Sequence, residues 1–248
     1  MLTLSDLVIS FGARVILNGL SCSIEAGETV GIIGPNGSGK TTLFNAISGL
    51  VPLNSGRIVL KDTEVHGLHP HQRAHLGLGR VFQNFGIFRE MTLLENVLLA
   101  LESRSSLVRG LLPWSSSSKA LKDEALTYLD QVGLAARAGE KAASLSGGQM
   151  RLLEIIRTLA LGSDVFLLDE PTAGVSPRMK DDVANLIKKL QGLGKTVLII
   201  EHDITFIQKF CGRIIVLNEG AIVLDNTPEK VRSDERLKEI YFGSESAA

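Results

Sequence analysis

"TVGIIGPNGSGKTTLF", residues 29–44, decides the fold. Its first part, "TVGII", is short, rich in branched residues and apolar without alternation, the pattern of a strand covered on both faces. Next comes "GPNGSGKTT", Gly34 to Thr42, which matches G-x-x-x-x-G-K-[ST] between a strand and a helical pattern at 40–49. Each position has a physical task. Gly34, Gly37 and Gly39 let backbone N–H groups converge on phosphates, with Pro35, Asn36, Ser38 and Thr42 completing the loop. Lys40 supplies charge to β/γ oxygens, and the Thr41 hydroxyl suits magnesium. The stretch predicts a nucleoside-triphosphate site.

Working outward, "VFLLDE" (165–170), "TVLIIEH" (196–202) and "RIIVLNEG" (213–220) are further buried-strand runs. Helical patterns fall between them, at 149–161 and 177–190. Strands alternating with helices predict a mainly parallel α/β sheet. Residues 1–30 and 56–66 alternate more and predict an antiparallel β portion, whereas 84–145 reads as mostly helical. In the latter, "MTLLENVLLAL" opens on a Thr92–Glu95 capping box, and Leu121, Ala125, Leu129 and Val132 share one helical face before Gly133. "RGLLPWSSSS" (109–118) reads as a mobile surface loop, "RIIVLNEGAIVLD" (213–225) as a hairpin, and Thr227–Pro228 as a helix start.

With 248 residues, 44% hydrophobic, the chain can bury a sizeable core. A net charge of −1 gives no electrostatic case for nucleic acid. Cys22 and Cys211 are too isolated for a disulfide framework or metal motif and read as small buried apolar residues. "MLTLSDLVISFG" lacks a basic stretch followed by a long apolar run, so no signal peptide is expected. No run reaches the roughly 18–20 apolar residues of a membrane span. A chain that is soluble when isolated, reaching a membrane only through a partner, is the expectation.

Two further stretches carry chemistry. "VFLLDE" ends in adjacent carboxylates at the carboxyl edge of a parallel sheet, where a ligand would sit. Beside a phosphate loop, this gives Asp169 the magnesium shell and leaves Glu170 to polarise an attacking water. "SLSGGQMRLLEI" (144–155) begins an amphipathic helix, and Ser146 with Gln149 fits a capping box. The box does not account for Gly147 and Gly148, since each glycine costs a helix about 1 kcal/mol against alanine. A bare backbone is needed there either for a tightly packed protein surface or for an anion at the helix start.

Phosphate loop, then "LSGGQ", then "LLDE", in that order, resembles the ATP-binding-cassette (ABC) ATPases over essentially the whole chain. The resemblance implies one cassette domain over 1–248, an α/β P-loop NTPase core with a mainly parallel sheet, an antiparallel β subdomain and a helical subdomain. Residues 1–83 and 146–248 would form the core lobe and 84–145 the helical one. It implies that Ser146, Gly147, Gly148 and Gln149 cap the γ-phosphate of ATP held by a second, opposing cassette, which decides for the anion reading. Gln83 in "GRVFQN" matches the glutamine that ligates magnesium, His202 in "LIIEHD" the histidine that contacts the γ-phosphate, and Phe11 the aromatic that stacks on adenine. Alone, Phe11 would read as core and His202 as a strand-end polar residue. Ser176 in "PTAGVSP" stands where most cassettes carry aspartate; with Pro177 it also makes a good helix start. Four histidines, His66, His69, His71 and His75, read as a solvated loop and not a metal site.

Within that family, "LGLGRVFQNFGIFREMTLLENVLLA" (76–100), "MRLLEIIRTLA" (150–160) and a tail ending "IYFG" (240–243) look most like the ATPase subunits of importers for branched-chain amino acids, urea or amides. ATP and Mg2+ are the implied cofactors. The implied partners are a second cassette, identical or paralogous, two permease subunits and, indirectly, an extracytoplasmic solute-binding protein, with the chain peripheral on the cytoplasmic side of the inner membrane. Phe85, Ile87 and Phe88 would help form the groove for a permease helix. The lipopolysaccharide-exporter ATPase is the alternative, although Val81 and Phe82 replace the leucine-proline typical of that group. A soluble cassette of translation or repair would need a second cassette or a coiled-coil insertion.

Overall fold

The computed structural model describes residues 1–84, 86–106 and 117–242. Two sheets organise them. The smaller is antiparallel, ordered β2-β1-β4-β5, from β1 (Leu2–Phe11), β2 (Arg14–Ile24), β4 (Ser55–Leu60) and β5 (Thr63–Glu64). The larger is ordered β10-β9-β3-β8-β7-β6. Its strands are β3 (Thr29–Ile33), β6 (Leu78–Val81), β7 (Val165–Asp169), β8 (Thr196–Ile200), β9 (Arg213–Asn218) and β10 (Ala221–Asn226). All its neighbours pair in parallel except the β9–β10 hairpin.

Nine α-helices and two 3-10 turns (Ala135–Arg137 and Ala142–Ser144) complete the described chain: α1 (Lys40–Ser48), α2 (Pro70–His75), α3 (Leu93–Ser106), α4 (Ser117–Asp130), α5 (Gly147–Ala160), α6 (Pro177–Gly192), α7 (Ile204–Phe210), α8 (Pro228–Ser233) and α9 (Glu235–Phe242). The expected starts hold. Thr92 and Glu95 exchange the capping-box bonds at 3.1 and 2.7 Å, and Ser176 and Thr227 each precede a proline in the first turn. Gly133, with φ 68°, closes the turn after α4.

Strand alternation divides the core in two. Phe166 and Leu168 of β7 join Ile33, Val197 and Ile199 on one face of the large sheet, in a cluster with α3, α4, α5 and α6. Val165 and Leu167 turn the other way, with Val30, Ile32 and Leu198, onto Leu43, Phe44 and Ile47 of α1 and onto the antiparallel sheet. The large sheet is therefore covered on both faces, as its unbroken apolar strands require. Because β3, β6, β7 and β8 run parallel, the loops after them come together on one side.

The histidine-rich stretch is not the loop the sequence suggested. Residues 70–75 form α2, started by His69, Pro70 and the Gln72 side chain, whose oxygen accepts from the His69 N–H at 2.8 Å. His71 and His75 are thus four apart on a helix, ring centroids 6.5 Å apart. Arg73 explains the helix: buried, it donates to the carbonyls of Ala46 and Ile47 at the end of α1 and of Leu68 and His66. Cys211 is buried, but Cys22 is only half-buried, and both are free thiols. Of the serine-rich segment read as a loop, 109–116 lies outside the described residues and Ser117 begins α4. No described helix is long and apolar enough to cross a membrane.

Candidate functional site: the phosphate loop and its carboxylates

The phosphate loop leaves β3 and turns into α1 through Gly39, whose φ of 104° belongs to glycine. A Cβ there would stand 3.0 Å from the Ile16 carbonyl. No side chain caps α1, and the hydroxyl of buried Ser38 has no hydrogen-bond partner among the described residues. Unsatisfied donors at a helix start attract an anion. Lys40 is 6% exposed and donates to the carbonyls of Gly34 at 2.7 Å and Pro35 at 2.9 Å. Burial pulls its pKa down, and the charges of Glu170 and Asp169 pull it back up. An uncapped helix start, an orphaned hydroxyl and a buried ammonium fit a polyphosphate.

Glu170, just after β7, takes the left-handed region at φ 49°. Both of its carboxylate oxygens are engaged: Gln83 Nε2 donates to Oε2 at 2.9 Å, and His202 Nε2 lies 3.0 Å from Oε1. Three residues from three separate loops are brought together. A cavity of about 320 Å3 opens over Glu170 and His202, lined also by Asn36, Gly37, Gly39, Lys40, Thr41 and Thr42, with Arg14 and Ile16 on the β2 side; Gln83 does not line it. Phe11 is 55% exposed and so is not core; it does not line the cavity but pairs across the β1–β2 turn with Arg14, which does.

Asp169 behaves differently from its neighbour. It is buried, and its Oδ2 accepts from Arg80 at 3.0 Å; Arg80 also donates to Asn45 and Ser48 of α1 and lies over the Phe82 ring. Burial pushes the Asp169 pKa up, opposed by Arg80. Sequence reasoning missed Arg80 because a single arginine in "LGRV" gives no local sign of its partners.

The "LSGGQ" start lies outside this cavity. Ser146 is exposed and forms the predicted box: Gln149 N donates to its hydroxyl at 3.4 Å and its N–H donates to Gln149 Oε1 at 3.2 Å. For Gly148 the structure supplies the tight protein surface that the anion reading had set aside. A Cβ there would fall 2.7 Å from Met179 Cβ on α6, so its bareness is explained by packing within this chain, whatever else approaches. Gly147 is half-buried.

One turn further along α5, Arg151 and Glu154 form a buried ion pair at 2.8 Å. Arg151 donates to the carbonyls of Phe82 and Gln83, and Glu154 Oε1 accepts from the N–H groups of Phe82 and Gly86. The loop carrying Gln83 is thus held by α5 through both flanks. The signal was present in "MRLLEII": α5 is buried nearly all round, so charges at 151 and 154 must find partners.

A phosphate loop at the carboxyl edge of a parallel sheet, with a carboxylate poised over it, defines a P-loop nucleotide hydrolase. A family model described as "ABC transporter" matches residues 17–173. The chain belongs to the ABC transporter family, and it is an ATPase of that family. It is 35% identical over 98% of both chains to the high-affinity branched-chain amino acid transport ATP-binding protein LivG of Escherichia coli K12. It is 36% identical over 99% of this chain and 98% of the other to the lipopolysaccharide export system ATP-binding protein LptB of Haemophilus influenzae. Among solved structures, the ATP-binding cassette MJ1267 in its ADP conformation superposes with a TM-score of 0.85 at 33% identity, covering 98% of this chain and 99% of that one. The dimeric cassette MJ0796 gives 0.79 at 29% identity, covering 92% and 99%.

Proposed function

We propose that the chain is the ATP-hydrolysing subunit of an importer for branched-chain amino acids or a related small polar solute. It would work as one of two cassettes attached to two permease subunits on the cytoplasmic face of the membrane, with solute delivered by an extracytoplasmic binding protein. The observation that carries the hydrolytic part is the pair of contacts on Glu170, from Gln83 and His202. Likeness to LivG over 98% of both chains supports the transport part.

In this reading Phe11 stacks on the adenine, the 34–42 loop N–H groups and Lys40 hold the phosphates, and Glu170 orients a water and draws on its proton. That water attacks the γ-phosphorus as the bond to the ADP oxygen breaks. His202 steadies both Glu170 and the γ-phosphate. Thr41, Gln83 and Asp169 would hold Mg2+, Asp169 while its Oδ2 keeps its bond to Arg80, and the ion would supply charge neutralisation to the bound polyphosphate. The opposing cassette's Ser146, Gly147, Gly148 and Gln149 close over the nucleotide. The core lobe (1–83 and 146–248) and helical lobe (84–145) then shift about the Gln83 loop.

A groove of about 400 Å3 beside that loop suits a permease helix. Exposed Phe82, Phe88 and Leu99 give it apolar walls, whereas Ile87, expected there, is buried in the core and does not line it; Arg157, stacked 5.2 Å over Phe88, keeps an Nη1 without a hydrogen-bond partner among the described residues. Phe85, assigned to the same groove, lies outside the described residues.

Similarity to LptB makes a lipid exporter the second reading. The experiment is to purify the tagged chain from solubilised membranes of its own cells, beside a Glu170→Gln variant. Two multispanning permeases, with turnover lost and ATP binding kept in the variant, are expected. Exporter-type membrane subunits would overturn the importer assignment, and unchanged turnover would remove Glu170 from its role.

A further inference from the structure

One buried carboxylate near the site has no part in the chemistry above. Glu201 follows β8, is 4% exposed, and directly precedes His202. Its Oε1 accepts two hydrogen bonds from a single residue, Thr172: one from the backbone N–H and one from the hydroxyl, both 2.7 Å. Thr172 is itself buried and stands two residues after Glu170. The N–H of Glu170 donates to the Ile200 carbonyl at 2.9 Å. The loop leaving β7 is therefore laced to the end of β8 at two successive points, on either side of the turn where Glu170 takes its left-handed φ.

A buried carboxylate is a costly way to close a loop, because burial favours its neutral form; an amide would accept the same bonds. Its advantage is strength and aim, since bonds to an ionised acceptor are shorter and stronger than neutral ones. We propose that Glu201 is a positioning residue for ATP hydrolysis: through Thr172 it fixes the loop that presents Glu170, while its chain neighbour His202 meets the Glu170 carboxylate. The two loops then keep one geometry instead of two independent ones. The inference rests on the reading of Glu170 and His202 as the hydrolytic pair.

The test measures ATPase kcat and KM, ATP binding and melting temperature for the full-length chain and for Glu201→Ala, Glu201→Gln, Thr172→Val, Thr172→Ser and the Glu201→Ala/Thr172→Val double variant. Glu170→Gln serves as the reference. Roughly tenfold or greater loss of kcat at little-changed KM is expected for Glu201→Ala and for Thr172→Val, with Thr172→Ser near wild type and Glu201→Gln between. The double variant should be no slower than Glu201→Ala, because both changes cut one link. An inactive Glu170→Gln beside an undiminished kcat in Thr172→Val, or additive losses in the double variant, would overturn the proposal and leave the hydrolytic reading standing. Should Glu201→Ala not fold, the Thr172→Val and Thr172→Ser pair decides alone. An active Glu170→Gln would bring down the underlying reading itself.

Discussion

Two helices of this chain begin on glycine-rich turns, and they satisfy their first-turn N–H groups in opposite ways. At α1 no side chain caps the helix, Gly39 takes a left-handed turn, and a buried hydroxyl and ammonium lie beside it with no carboxylate among the described residues bonded to either. At α5 the Ser146–Gln149 box is complete, Arg137 adds a bond to Gln149 Oε1 at 3.1 Å, and Gly148 is filled against Met179. The first start is unfinished by itself and needs an anion; the second is finished within the chain. Glycine serves backbone access in one and helix packing in the other, so glycine content alone does not identify an anion site.

Substitutions separate the two starts. The largest effect belongs to Lys40→Ala, which should weaken ATP binding by roughly 100-fold, the scale of losing charge-assisted bonds. It should not lower the melting temperature, because among the described residues the buried ammonium is hydrogen-bonded to carbonyls alone. Equilibrium titration with a fluorescent ATP analogue and a thermal melt check both. Gly148→Ala should do the reverse. Overpacking against Met179 costs about 1–3 kcal/mol and the gain in helix propensity returns about 1, so the melting point should fall by a few degrees with ATP binding to the single chain unchanged. A Gly148→Ala variant as stable as wild type would break the contrast.

Ser146→Ala should cost about 1 kcal/mol through the lost cap, and likewise leave single-chain ATP binding alone. A loss of ATP-driven dimerisation beyond that stability change, read by size-exclusion chromatography with ATP, would show the hydroxyl serving a second cassette. The smallest effect is a reporter reading. Burial pushes the Cys211 thiol up to about 12, so alkylation at pH 8 should be slow, somewhat faster in Gly148→Ala and unchanged in Lys40→Ala. The raised thiol pKa also sets a sign: the unfolded thiol ionises near its ordinary 9.0 while the folded one keeps its proton. That contribution to stability is full below pH 9 and is lost as pH rises toward 12.

Much of this was legible because the informative residues are near one another in the chain. The β3 strand, the phosphate loop and α1 are one continuous stretch, and β7, β8 and β9 announce themselves by unbroken apolar runs. Strand β6 did not, since "LGRV" is four residues long and is a strand only because it pairs with β7. Helix α2 was hidden by its six-residue length and by Arg73, whose anchoring carbonyls lie as far away as Ala46. At the site, Lys40, Glu170, Gln83 and His202 were readable through motif resemblance. The groups that brace the surrounding segments, Arg80 on Asp169, Arg151 and Glu154 on the Gln83 loop and Glu201 on Thr172, act across long sequence separations that no local pattern records. Met179 against Gly148 belongs with them: spacing showed that something must come close, and only the α5–α6 contact showed what.

The grip of Arg151 and Glu154 on both flanks of the Gln83 loop sets two contacts on adjacent turns of α5. Its first turn, on the proposed reading, feels the nucleotide of the neighbouring cassette, and its second turn steers the glutamine that touches this chain's own Glu170. On that reading, a motor built from two such chains would be cross-wired: each half would learn through two adjacent turns of one helix whether the other is loaded before it spends its own fuel.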